Sequence, residues 1–163
     1  MLALTKIKEM INKITIFSII CIVGLMTIIV ITQTLSRYLF KIPIFWAEEF
    51  TRYLMIWGCF LGAALAIRDD EHISLSFLGE RLSKKIRSYI KMSIILLILF
   101  FLLIFLKEGF ALLTKQAKQL SPCMRMEMWI PFLALPIGGT LMFLEYLFKL
   151  MYQIALVRKQ KGV

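Results

Sequence analysis

The chain has 163 residues, room for one domain, and 60% of them are hydrophobic, well above the roughly 45–50% of soluble domains. Twenty Lys+Arg against ten Asp+Glu leave a net charge of +10, a balance that points to nucleic acid or to anionic lipid. Apolar runs of about twenty residues, which a nucleic-acid binder does not need, decide for lipid and exclude nucleic acid as the expected partner.

The first run, Ile14 to Leu35, holds twenty-two residues without a charge. At about 1.5 Å per residue it crosses a hydrocarbon core of about 30 Å. It is too long for the apolar part of a signal peptide, and Ile31-Thr32-Gln33-Thr34 lacks a small-x-small cleavage pattern. The run is therefore read as a retained first helix. A short connection follows from Arg37 to Ala47, with Pro43 and the amphipathic anchors Phe45 and Trp46.

The second span is predicted from about Trp46 to Ile67, the third from about Tyr89 to Leu106 and the fourth from about Trp129 to Leu150. Trp46 and Trp129 each open a span, where an indole favours the headgroup level. The fold class is thus an all-α integral membrane protein, residues 1–163 forming a single four-helix membrane domain. Basic residues fix its orientation. The N-terminal tail, the second connection and the C-terminal end hold thirteen, and the opposite side holds six, so both termini are expected in the cytoplasm.

Between the second and third spans, Leu75, Leu78, Leu82, Ile86 and Tyr89 recur at helical spacing, with Arg81, Lys84, Lys85 and Arg87 on the other faces. That pattern predicts an amphipathic interfacial segment on anionic membrane lipid, against a plain helix-hairpin linker with solvated charges.

Several groups are candidates for chemistry or assembly. Glu48 and Arg52 stand four apart in the order that favours an ion pair, and Glu49, three from Arg52, can share it. Charges in a span are functional suspects by default. Lying within two turns of the helix start, these fit an anchoring salt bridge or a subunit contact better than an ion site. Gly58, Gly62 and Ala66 form a small-residue stripe of the kind that lets helices approach closely. Trp46, Phe50, Tyr53 and Trp57 mark another face, read as a packing or lipid-facing surface. His72 follows Asp69, Asp70 and Glu71, but consecutive residues converge poorly on one metal ion, so local pairing with Arg68 or the acids is expected.

Glu145 lies one turn before Lys149, a spacing that predicts a snorkelled pair near the cytoplasmic end of the fourth span. Pro136 is expected to kink that span. Cys21, Cys59 and Cys123 form no disulfide framework or metal pair. No nucleophile–base pair, phosphate-binding glycine loop or zinc motif occurs, so neither a self-contained enzyme nor a cofactor is expected.

The stretch Phe45-Trp46-Ala47-Glu48-Glu49-Phe50-Thr51-Arg52-Tyr53-Leu54-Met55-Ile56-Trp57, then Phe60-Leu61-Gly62-Ala63-Ala64-Leu65-Ala66-Ile67-Arg68 and Glu71-His72-Ile73, resembles the small membrane subunit of tripartite ATP-independent periplasmic (TRAP) transporters, the DctQ family. Ser121-Pro122, Trp129 and Leu133-Ala134-Leu135-Pro136-Ile137-Gly138 are similar to that family's last loop and helix. The resemblance implies a multi-pass subunit of the bacterial inner membrane that braces a large elevator-type membrane subunit. The large subunit would hold the substrate and sodium sites, and a periplasmic binding protein would deliver an organic acid of the sialic acid or C4-dicarboxylate class. No substrate, metal or catalytic residue is then expected in this chain.

Under that reading, Glu48, Glu49, Arg52, Trp57, Gly58, Gly62, Ala66, Arg68 and His72 are subunit-interface candidates. Ser121, Pro122, Arg125, Glu127 and Trp129 are candidates for docking on the periplasmic side. One departure stands out. After Ser-Pro the family often reads Ala-Leu-Gly-Ile-Pro-Met, whereas this chain has Cys123-Met124-Arg125-Met126-Glu127-Met128, which puts the usual loop conformation in question. The rival readings are an autonomous, homodimeric, proton-coupled four-helix exporter, which would want an acid at mid-span, and a membrane assembly protein without transport function.

Overall fold

The computed structural model describes residues 2–68 and 84–160. His72 with Asp69, Asp70 and Glu71, and the Leu75, Leu78, Arg81 and Leu82 part of the expected amphipathic segment, lie outside the described residues. Five helices are described: α1 (Leu2–Leu35), α2 (Phe45–Arg68), α3 (Lys84–Gln116), the short α4 (Trp129–Phe132) and α5 (Ala134–Gln160). A π-helical turn, Ser36–Phe40, closes α1. Four segments are long and apolar enough to cross a membrane: Glu9–Phe40, Phe45–Arg68, Ser88–Gln116 and Trp129–Ala155.

The helices outrun the apolar runs that predict them. α3 passes Lys107 and Glu108 without a break and ends ten residues beyond Leu106, at Gln116. Backbone hydrogen bonding continues wherever no Pro or turn residue interrupts it, whereas the apolar run marks only the part suited to hydrocarbon. Within that part, hydroxyls are satisfied locally. Thr15, Thr27, Thr32 and Thr34 of α1 each donate to the carbonyl four residues earlier, at 2.7 to 2.9 Å.

Pro136 breaks the fourth span instead of bending its interior. It sits in the first turn of α5, where a missing N–H costs little. The carbonyl four residues before it belongs to Phe132, the last residue of α4, and the helix is interrupted there. Leu133 bridges the two pieces, its N–H donating to Trp129 O at 2.9 Å and its carbonyl accepting from Ile137 N at 3.1 Å.

Among the described residues the long helices form a row. α1 packs on α2, α2 on α5 and α5 on α3, and α1 and α3 share no comparable interface. The buried residues Ile67, Leu99, Leu102 and Tyr146 mark the core where α2, α3 and α5 meet. Gln153 of α5 donates to Ser88 Oγ of α3 at 2.8 Å near the end of that seam.

Two glycines set how closely the row packs. A Cβ placed on Gly138 would lie 2.6 Å from Cβ of Phe60 in α2 and 3.3 Å from its backbone carbon. One placed on Gly139 would lie 3.0 Å from Leu106 and 3.1 Å from Phe105 of α3. Neighbouring glycines on α5 thus admit α2 on one side and α3 on the other. The rings of Phe60 and Phe105 then meet with centroids 5.9 Å apart.

Gly138→Ala should therefore destabilise the chain by about 1–3 kcal/mol, because the backbone of Phe60 must move. Gly24→Ala, in the interior of α1 where nothing lies within 4 Å, should not destabilise the chain and should gain up to about 1 kcal/mol of helix propensity. Thermal unfolding of the two variants in detergent tests the contrast.

Candidate functional site

The connection between α3 and α4 folds into a tight hairpin. Gln119 N–H donates to Gln116 O at 3.1 Å, Ser121 N–H to Met126 O at 2.9 Å and Met128 N–H to Gln119 O at 2.9 Å. Leu120 pairs antiparallel with Glu127. Ser121, only 2% exposed, turns its hydroxyl inward to accept from Met126 N–H at 3.2 Å. Pro122 and Cys123 lead over the tip, and Arg125 completes the turn at φ 50°, in the left-handed region.

The tip is clasped from below by α2. Glu49 Oε2 accepts from the backbone N–H groups of Cys123 at 2.9 Å and Met124 at 3.2 Å. Glu49 Oε1 accepts from the hydroxyl of Tyr53, one turn further along the same helix. That hydroxyl also lies 3.3 Å from Met128 Sδ at the base of the hairpin. Glu49 is 7% exposed and Tyr53 is likewise buried. Successive N–H groups at a loop tip form a small anion-binding concavity, and here a carboxylate of the same chain fills it. Charge-assisted bonds of this kind are stronger than neutral ones and fix direction as well as distance.

Several expectations are corrected. Among the described residues no ion pair joins Glu48 or Glu49 to Arg52. Glu49 points into the hairpin, while Glu48 and Arg52 are exposed on other faces of α2. Of the two readings of the aromatic face, packing holds for Tyr53, which is buried as the second half of the clasp, and Trp46 and Phe50 make their own edge contact at 6.5 Å. Ser121 holds the hairpin from inside and offers no side chain for docking. Glu127 accepts from Trp129 Nε1, while Pro122 and Arg125 are exposed.

The small-residue stripe divides. A Cβ on Gly58 would touch Ile22 of α1 at 3.6 Å, whereas Gly62 has nothing within 4 Å and Ala66 and Arg68 are exposed. Trp57 is half-buried. Glu145 does not snorkel: it is 7% exposed and lines a small cavity with Asn12, Thr15 and Ala64. The three thiols are all exposed.

The loop departure now has a location. Arg125, the residue at which the loop departs from the pattern it resembles, holds a positive φ that Gly adopts freely and that costs other residues about 1 kcal/mol. The hairpin forms nonetheless, because its tip amides are anchored from α2.

The sequence of the tripartite ATP-independent periplasmic transporter DctQ component, taken as a family, matches residues 26–156. The chain is 30% identical over 120 residues to the sialic acid TRAP transporter permease protein SiaT of Haemophilus influenzae, covering 73% of this chain and 19% of that one. It is 26% identical over 152 residues to the sialic acid TRAP transporter small permease protein SiaQ of Vibrio cholerae, covering 91% and 87%. It is 31% identical over 117 residues to the C4-dicarboxylate TRAP transporter small permease protein DctQ of Rhodobacter capsulatus, covering 71% and 52%. The alignments thus span a fifth of the Haemophilus protein and about half of the Rhodobacter one.

Glu49→Ala should release the hairpin while leaving the helices folded. Hydrogen exchange at the Cys123 and Met124 amides should speed up by roughly tenfold or more, with α5 amides near Met142 unchanged. Unaltered exchange at the tip would show that the clasp does not hold the loop.

Proposed function

The chain belongs to the DctQ component family of tripartite ATP-independent periplasmic (TRAP) transporters, and from that premise we propose that it braces the large membrane subunit of such a system and presents the clasped hairpin to a periplasmic binding protein. Membership makes it a small permease subunit, a multi-pass inner-membrane protein and not an enzyme. The transport it serves is sodium-driven uptake of an organic acid. Relatives named for sialic acid and for C4-dicarboxylate support a cargo of one of those two classes.

The observation that carries this reading is the use made of Glu49. Both of its oxygens are engaged by donors of its own chain, so this intramembrane acid serves a fixed surface and not a travelling ion. The positive-inside count supports a periplasmic position for that surface. The uncovered apolar faces of α1, with Phe17, Ile20 and Ile28, and of α3, with Leu97, Phe100 and Phe101, support a brace set between lipid and a larger subunit. The open space at Gly62 supports its reading as a point where a helix of that partner could approach closely.

Proteoliposomes holding this chain alone should show no uptake. Adding the large subunit, the binding protein and a sodium gradient should produce it, and specific uptake by the small chain alone would contradict the proposal. Gly62→Leu should leave the isolated chain as stable as wild type and weaken its co-purification with the large subunit. An unchanged yield of complex would assign Gly62 to the lipid face.

A further inference from the structure

We propose that the crevice between the end of α1 and the start of α2 binds the headgroup of a zwitterionic aminophospholipid, its phosphate held by Arg37 and Lys41 and its ammonium by Glu48. Gln33, Arg37, Lys41, Pro43, Phe45 and Glu48 line this crevice. Of these, only Glu48 is among the subunit-interface candidates, and the clasped hairpin and the Gly62 face use none of them.

The walls are fixed by the backbone. α1 closes in the π-helical turn Ser36–Phe40, and Lys41 follows at φ 57° with its N–H donating to Ser36 O. Ile42 N–H donates to the same carbonyl at 3.2 Å, and the Ser36 hydroxyl donates back to Ile42 O at 2.8 Å. This clasp sets Arg37 and Lys41, four residues apart, on one wall. Glu48, in the first turn of α2, stands on the other. Among the described residues none of the three charges makes an ion pair, and all three are exposed.

The charge pattern selects the ligand. A guanidinium fork beside an ammonium suits a phosphate diester. The carboxylate opposite would repel a purely anionic headgroup and attract a primary ammonium, which also donates hydrogen bonds that a quaternary ammonium lacks. The level is right for a headgroup: Tyr38, Phe45 and Trp46 are exposed amphipathic or aromatic anchors at this end of the span. Leu35, Leu39, Phe40 and Ile42 continue the same edge as exposed apolar side chains against which acyl chains can lie.

The test is native mass spectrometry of the full chain released from nanodiscs made of equal parts phosphatidylethanolamine, phosphatidylglycerol and phosphatidylcholine. Wild type should retain phosphatidylethanolamine over each of the other two by about fivefold, the ratio expected of one favourable headgroup contact. Glu48→Gln should bring the ethanolamine-to-glycerol ratio to about one or below. The pair Arg37→Gln with Lys41→Gln should lose both lipids, and Arg37→Lys with Lys41 intact should restore retention. All the altered side chains are exposed, so an unchanged melting temperature is expected and confirms folding of each variant. Equal retention of the three lipids by wild type, or an unaltered ethanolamine-to-glycerol ratio in Glu48→Gln, would overturn the proposal. Release of the retained lipid when the large membrane subunit is added would also overturn it, assigning the crevice to a protein contact.

Discussion

A single carboxylate ties the two halves of this chain together at one membrane edge. Glu49 of α2 accepts from its own helix through Tyr53 and from the α3–α4 hairpin through the Cys123 and Met124 amides. Helix packing within a bilayer has no hydrophobic drive, and dispersion between side chains tolerates sliding. The clasp supplies what packing lacks: direction, at the point where irregular backbone meets the membrane edge and its N–H groups most need partners. Because the hairpin leads straight into α4 and α5, fixing its tip also fixes where the last span enters.

The rest of the architecture follows an economy of contact. α2 and α5 are the inner members of the row, and Gly138 and Gly139 let α5 receive α2 and α3 on adjoining faces. α1 and α3 then become outer members, with large apolar side chains turned outward. A closed four-helix bundle would turn one face of every helix toward a common core. An open row instead offers broad flanks, the shape of a part that widens something else.

The spans, their order and their number were legible because each apolar run is long and uninterrupted, and because Trp46 and Trp129 mark where two of them begin. The ends were not, since helix continues through Lys107 and Glu108 on backbone bonding that leaves no hydropathic trace. Glu49 stood out as an intramembrane acid, but Arg52, three residues away, is the partner that local spacing offers. One true partner, the Tyr53 hydroxyl, lies one turn along the helix; the other two lie 74 and 75 residues away and are backbone groups, which carry no side-chain signature. Gly62 stands out through its small-xxx-small spacing, whereas the glycines that govern packing within the chain are the adjacent Gly138 and Gly139, which belong to no three-membered stripe of that kind. Arg125 is instructive in the opposite sense. The departure from Gly was visible in the sequence, and only the φ of 50° shows that it falls on the strained position of the turn. Glu145 looked like a helix-end acid by its spacing from Lys149, but the close approach of α1, through Asn12 and Thr15, encloses it.

Under the proposed function, the clasp makes the hairpin a preformed platform for the binding protein. The direct test is uptake by the reconstituted three-component transporter as the binding protein is titrated, comparing wild type with Glu49→Ala. Loss of the clasp should raise the binding-protein concentration needed for half-maximal uptake severalfold and change the maximal rate less, because a loosened surface must be ordered at each encounter. Superimposable titration curves, from a variant whose hairpin amides exchange freely, would contradict it.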